Sequence, residues 1–258
     1  MGEVAGLLLL SLWLTLGCSA AGAATLPKDA SIDQTLTALE QRGQSLKDFV
    51  ADVALETLDP ALGNFSTRTG KVWFQRRGDE HARIRVLLEK LIEDEKTRTD
   101  RKEYLLEGEW LTERTYRSKI EVKRQVLRPG EKINLLKLGE GPFPLPIGQP
   151  PDEVKKQFDV QQLDPAADIE GEPPVNTLRL KLTPHEDTSL ARKFKSIDLW
   201  IDRDLHMPVR IEVLDRNETS IQTTRLENLQ INVGLGDGDF KLEPVGDDWT
   251  RSEEAFEE

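Results

Sequence analysis

A mainly β fold of the α+β kind, built from antiparallel strands, is predicted by three features of this sequence. Short segments with two-residue apolar alternation follow one another through most of the chain, and turn residues separate them. Only one segment, near the N-terminus, carries a sustained helical period. Consecutive short strands joined by turns describe an antiparallel meander.

The elements follow in order. Residues 5–17 (AGLLLLSLWLTLG) are an apolar run too short to span a bilayer comfortably, followed by the small residues of CSAAGAA. Residues 1–23 are therefore expected to be an export signal. Two processing routes stay open. Leu-Thr-Leu-Gly-Cys18 resembles a bacterial lipoprotein signal, which would leave Cys18 lipid-modified, whereas Ala21-Gly22-Ala23 fits ordinary cleavage before Ala24. In segment 31–46, Ile32, Leu36, Leu39 and Leu46 form an apolar stripe, Ser31 can cap the start and Asp33 sits in the first turn, so a helix is predicted.

The period then changes to two. Val53 and Leu55 alternate with Asp52, Ala54 and Glu56 in a strand near 49–58, and 59–67 reads as a connection. Strand 69–77 puts Val72, Phe74 and Arg76 on one face; 82–88 does the same with Ile84, Val86 and Leu88. Segment 103–126 reads as a hairpin turning at Glu107-Gly108, with a polar strand around 119–127. Stretch 127–151 (LRPGEKINLLKLGEGPFPLPIGQPP) holds five prolines between Pro142 and Pro151, and an apolar, proline-rich loop of this length reads as a lid. A short helix at 152–157 and a surface insertion at 164–174 follow. The last third is strands again: Leu178, Leu180 and Leu182; Ile197, Leu199 and Ile201; Val209, Ile211 and Val213; then 219–232.

Composition removes several function classes. The net charge is −12, no basic stripe carries interleaved aromatics, and nucleic-acid binding is excluded. Segment 237–258 has nine Asp or Glu against Lys241 and Arg251, and reads as a solvated, frayed end. Cys18 is the single cysteine, so the mature domain has neither disulfide nor thiolate metal site. His81, His185 and His206 stand far apart in different local patterns, with no metal pair and no nucleophile elbow. The charges of 93–103 read as a solvated face. No cofactor, metal or catalytic residue is expected. What remains is architecture: one-sided apolar strands, one amphipathic helix and a greasy loop either enclose a ligand cavity or pack as plain core.

The ordered motifs resemble the LolA/LolB superfamily of periplasmic lipoprotein carriers. The helix with spaced leucines leads through Leu46-Lys-Asp-Phe49-Val-Ala51 into the first strand. Gly70-Lys-Val-Trp73-Phe-Gln-Arg76 is similar to a family strand, and Glu107-Gly108-Glu-Trp110-Leu111 to its turn before a Leu-Trp strand. Gly141-Pro142-Phe143-Pro-Leu145 falls where the family has a loop beside its cavity. Ile197-Asp-Leu-Trp200-Ile-Asp202, Met207-Pro208-Val-Arg-Ile-Glu-Val, Asn228 and Phe240-Lys-Leu-Glu-Pro244 complete the series over most of 31–249.

The resemblance implies an open antiparallel half-barrel over 24–249, with its concave face covered by the N-terminal helix and a lid loop, ahead of an acidic tail at 250–258. It implies that acyl chains lie against Val53, Leu55, Val72, Phe74, Ile84, Val86, Trp110, Phe143, Leu145, Leu199, Ile201, Ile211 and Val213. Arg76 matches the arginine that bonds lid carbonyls and is needed for release. Three departures stand out: Arg77 replaces the family's proline, 164–174 is inserted, and Cys18 can anchor the chain. The expected protein is a non-enzymatic, exported carrier in the periplasm or anchored in the cell envelope. Its partners are lipoprotein acyl chains or other lipid, and it touches a membrane only through its ligand or a Cys18 anchor. The alternative is an envelope sensor that uses the same half-barrel to bind a partner protein.

Overall fold

The computed structural model describes residues 24–78, 81–128, 147–169 and 171–255. The expected signal, including Cys18, and most of the expected lid, including Phe143 and Leu145, lie outside the described residues. Alternating sequence becomes strands β1 (Asp48–Asp59), β2 (Asn64–Arg77), β3 (His81–Glu93), β4 (Lys96–Glu107), β5 (Trp110–Thr115) and β6 (Ile120–Gln125). The later strands are β7 (Phe158–Leu163), β8 (Thr177–Pro184), β9 (Phe194–Asp202), β10 (Pro208–Asp215), β11 (Ile221–Ile231) and β12 (Thr250–Glu254). All twelve form one open sheet in the order β12-β6-β5-β4-β3-β2-β1-β11-β10-β9-β8-β7. Every ladder is antiparallel except that of β12 on β6.

Two meanders, β1–β6 and β7–β11, therefore meet at the β1–β11 ladder. Bulges bend the strands where the sheet must curve, among them one in β11 opposite Val50–Asp52 and one in β3 opposite Thr69 and Gly70. Gly70 is required at its bulge, because a Cβ there would lie 1.9 Å from the Leu87 carbonyl oxygen.

Helix α1 (Ile32–Ser45) is set by a capping box, in which Gln34 N–H donates to Ser31 Oγ at 3.2 Å and Ser31 N–H donates to Gln34 Oε1 at 2.8 Å. Its Leu36 and Leu39 join one core with Phe49, Leu180, Leu182, Ile197, Leu199 and Ile201 from the concave face. Short helix α2 (Pro151–Gln157) packs beside α1 and β7.

Three expectations need correction. The connection after β1 is shorter than 59–67: Asp59 accepts from the amides of Ala61 and Leu62, closing a tight turn, and β2 already runs from Asn64. Strand β7 was not anticipated. The 93–103 charges are not uniformly solvated, because Asp100 and Glu103 on β4 are buried against arginines.

The acidic end is also structured. After β11, the amides of Val233, Gly234 and Leu235 donate to the buried Asp48 carboxylate. The chain then crosses the convex face under three arginines. Arg83 lies 4.0 Å over the Phe240 ring and pairs with Asp237, Arg85 donates to the Asp239 carbonyl, and Arg114 donates to the Glu243 carbonyl. It ends in β12, whose exposed Glu253 and Glu254 pair with Lys123 and Arg124. On the other half of the convex face, Trp200 is fully buried between Arg179 and Arg210 and donates its Nε1–H to the Pro165 carbonyl at 2.9 Å. Pro165 and Ala167 of the expected insertion thus bond to Trp200 and Arg179 and help to bury this tryptophan.

Candidate functional site

Alternation sends the apolar side chains of β1–β5, β10 and β11 to the concave face, where most are buried and Leu55 and Val213 are half-buried. They enclose a cavity of about 450 Å³, inside the range of about 300–1,000 Å³ usual for small-ligand sites. Its wall is made by Val53 and Leu55 of β1, Val72 of β2, Ile84, Val86 and Leu88 of β3, Leu111 of β5, Ile211 and Val213 of β10, and Leu226 of β11. Polar groups gather at one end: Thr57, Ser66, Arg68, Tyr104, Glu113, Gln222 and Thr224.

The residues singled out by the sequence divide into four groups. Val53, Leu55, Val72, Ile84, Val86, Ile211 and Val213 line the cavity. Phe74, Leu199 and Ile201 share the concave side but belong to solid core; Phe74 stacks on Phe49 with ring centroids 5.3 Å apart. Trp110 does not share the cavity. It neighbours the lining residue Leu111, so its side chain leaves the opposite face, where Lys123 Nζ sits 4.2 Å from its ring. Phe143 and Leu145 lie outside the described residues, and so does Cys18.

Arg76 lies two residues beyond Phe74 on the same strand, and its guanidinium donates to the Gly43 carbonyl at 2.6 Å. That carbonyl belongs to the last turn of α1, whose end carbonyls lack helical donors. The same turn meets the described end of the proline-rich loop. A Cβ on Gly43 would lie 2.2 Å from the Gly148 Cα, and Ile147 beside it is fully buried in the core. Arg76 therefore clamps the helix against which the loop end is seated, rather than any described loop carbonyl.

Sequence reasoning missed the polar end. Arg68 fell between the expected connection, 59–67, and the expected strand, 69–77, because β2 starts earlier, at Asn64. Asp100 lies within a charge run whose alternation with Lys102 and Tyr104 carries the concave period, and that was the available signal. Arg68 Nη1 pairs with Asp100 Oδ2 at 2.5 Å, which holds the Asp100 carboxyl below the usual carboxylate range against the opposing effect of burial. Burial pushes the Tyr104 hydroxyl up, with the nearby Glu113 charge adding to it. Among the described residues no group of acids, histidines or cysteines could hold a metal ion, and no helix is long and apolar enough to cross a membrane.

No protein-family model matches the chain, and no curated protein matches it. Solved structures do. A chain of the Pseudomonas aeruginosa MucA/MucB complex is 15% identical over 82% of this chain and 60% of its own, with a TM-score of 0.47. An outer-membrane lipoprotein-sorting protein domain from Vibrio parahaemolyticus is 12% identical, over 80% of this chain and 94% of its own, with a TM-score of 0.37. A LolA superfamily protein from Nitrosomonas europaea is 12% identical, over 80% and 97%, with a TM-score of 0.29. The structural neighbours are LolA-like folds at low identity. This chain spans about 60% of the length of the MucB chains it matches.

Proposed function

We propose that this is a non-enzymatic lipid-binding protein of the cell envelope, holding acyl chain in the cavity on the concave face of its sheet. The observation that carries the reading is the cavity itself, about 450 Å³ walled by aliphatic side chains and bounded by polar groups at one end. Burying an acyl chain of about fifteen methylenes is worth roughly 12 kcal/mol at about 0.8 kcal/mol each. A carrier must supply an apolar site of that order and then release its load. Helix α1, latched by Arg76 and seated against the loop end through Gly43 and Gly148, is the element placed to move.

The test is displacement. Natively folded protein should bind a neutral hydrophobic fluorophore, and monopalmitoylglycerol should displace it. Leu55→Trp and Val213→Phe, which enlarge half-buried wall residues, should each abolish binding while near-UV circular dichroism stays native, since loosely packed states also bind such dyes. Absence of displaceable binding by well-folded protein would defeat the proposal. A partner-protein reading draws on the outer edge of β7, which has no strand beside it among the described residues and where an extended peptide could add one. It predicts a complex indifferent to Leu55→Trp.

A further inference from the structure

The polar end of the cavity bears on which acyl lipids it can take. Charged residues lining the cavity are Glu56, Arg68 and Glu113, so Arg68 is the one cation among the described lining residues. Its guanidinium is already engaged: Asp100 accepts from it at 2.5 Å, with the Asp100 side chain only 9% exposed. Glu56 is drawn off by Arg225 at 2.6 Å. Glu113 keeps only a longer contact, 3.3 Å to Arg124, and Arg124 is shared with Glu254. Two other cations stand near Asp100 without lining the cavity. Arg98 is paired with Glu93 at 3.0 Å, and Lys102 lies on β4.

Among the described lining residues an anionic head group entering here would find no unpaired cation. It would have to take Arg68 from a buried carboxylate and would also face Glu113. Removing one partner of a buried pair leaves an uncompensated charge, and like charges at short range in a partly dry site repel strongly. Hydroxyl and amide groups, by contrast, are plentiful at the same end: Thr57, Ser66, Thr224 and Gln222 can all exchange hydrogen bonds with an uncharged polar head.

We infer that the cavity selects acyl lipids whose head carries no negative charge, with the chain ester- or amide-linked, and discriminates against free fatty acids through the Arg68–Asp100 pair and Glu113. This deepens the lipid-binding reading and rests on it. Selectivity is set by what Arg68 is denied, and the pair is therefore a filter as well as a structural contact.

The experiment compares two probes of one chain length, monopalmitoylglycerol and palmitate, in displacing the same neutral fluorophore from native protein at a pH where palmitate is ionised. Palmitate should be weaker by about tenfold or more. Asp100→Asn frees Arg68 and should strengthen palmitate by about fivefold or more while changing monopalmitoylglycerol less than about twofold. Glu113→Gln removes the second carboxylate from a half-exposed site where folding is not at stake, and should shift palmitate in the same direction. Equal displacement by the two probes in wild type, or parallel shifts of both in the two variants, would overturn the filter and leave the cavity reading standing. Failure of both probes to displace the fluorophore would remove the cavity reading itself.

Discussion

One concave face carries two regions made from the same residue types in the same alternation, yet they differ in what they enclose. Around α1, Leu36 and Leu39 join Leu180, Leu182, Leu199 and Ile201 in solid core, and Phe49 stands at the boundary, in that core and on the cavity wall. Farther along β1–β5 and β10–β11, Val53, Leu55, Val86, Ile211 and Val213 line a cavity that no helix fills among the described residues. The strands do not distinguish the two. Among the described residues what does is the cover: α1, with Val154 of α2 and Ile147 beside it, fills one part of the face. Among the described residues the sheet is thus filled at one end and hollow at the other.

The sharpest way to break this comparison is to delete equivalent side chains from each region. Leu180→Ala, in the filled region and fully buried, should cost about 2–5 kcal/mol in urea unfolding. Val213→Ala, on the cavity wall, should cost about 1 kcal/mol or less, since it already lacks neighbours on one side. Equal losses would mean the cavity is not a cavity in solution.

The boundary between the regions is the next target. In an ordinary helix Gly→Ala gains roughly 1 kcal/mol. At Gly43 the sign should reverse, because the new Cβ would lie 2.2 Å from the Gly148 Cα and must push the loop end off the helix. A loss of about 1–3 kcal/mol is expected from thermal or urea unfolding, together with faster exchange of bound fluorophore. A stabilised Gly43→Ala protein would show that the seam is not closed.

Arg76 sharpens the same boundary with a smaller effect. Arg76→Leu removes the bond to the Gly43 carbonyl, worth about 1.5–3 kcal/mol for a charged donor. As a latch it should leave uptake intact and slow transfer to acceptor vesicles. Arg77→Leu, whose half-exposed side chain pairs with exposed Asp237, should change stability by about 1 kcal/mol or less and leave transfer unaltered. Identical behaviour of the two variants in transfer would reduce Arg76 to a structural clamp.

These contrasts show what the sequence could and could not disclose. Strand positions were legible because Val72-Phe74, Ile84-Val86 and Ile211-Val213 alternate cleanly, and α1 was legible from Ser31 and its leucine spacing. Filled and empty regions were not, since Leu199 and Ile211 face each other across one ladder with identical local pattern. The acidic end was misread because its anchors are remote: Asp48, Arg83, Arg85 and Arg114 are brought to 233–243 only by sheet order. Arg68 and Asp100 were hidden similarly, 32 positions apart and joined across β3.

The smallest expected effects are in pH dependence, and the two faces should differ in sign. Asp100, on the concave side, has its carboxyl held down by the Arg68 hydrogen bond. Its contribution is complete above the ordinary carboxylate pKa of about 4 and is lost as pH falls through the lower folded value. Asp198, beneath the convex cover, has its carboxyl pushed up by burial although Arg179 donates to it at 2.8 Å. The folded state then holds that proton more tightly than the unfolded chain. Its contribution is present below about 4 and fades as pH rises toward the folded value. Thermal midpoints across the acid range should show Asp100→Asn flattening the loss at low pH and Asp198→Asn flattening the opposing trend. Matching slopes in the two variants would contradict the assignment.

The central claim, that one part of the concave face holds ligand and the other does not, is tested most directly by methyl NMR on protein with labelled Ile, Leu and Val side chains. Titration with monopalmitoylglycerol should produce saturable shifts at Val53, Val86, Ile211 and Val213, with Leu180, Leu182 and Ile201 nearly still. Saturable shifts spread equally over both sets, or none at all in folded protein, would contradict the account.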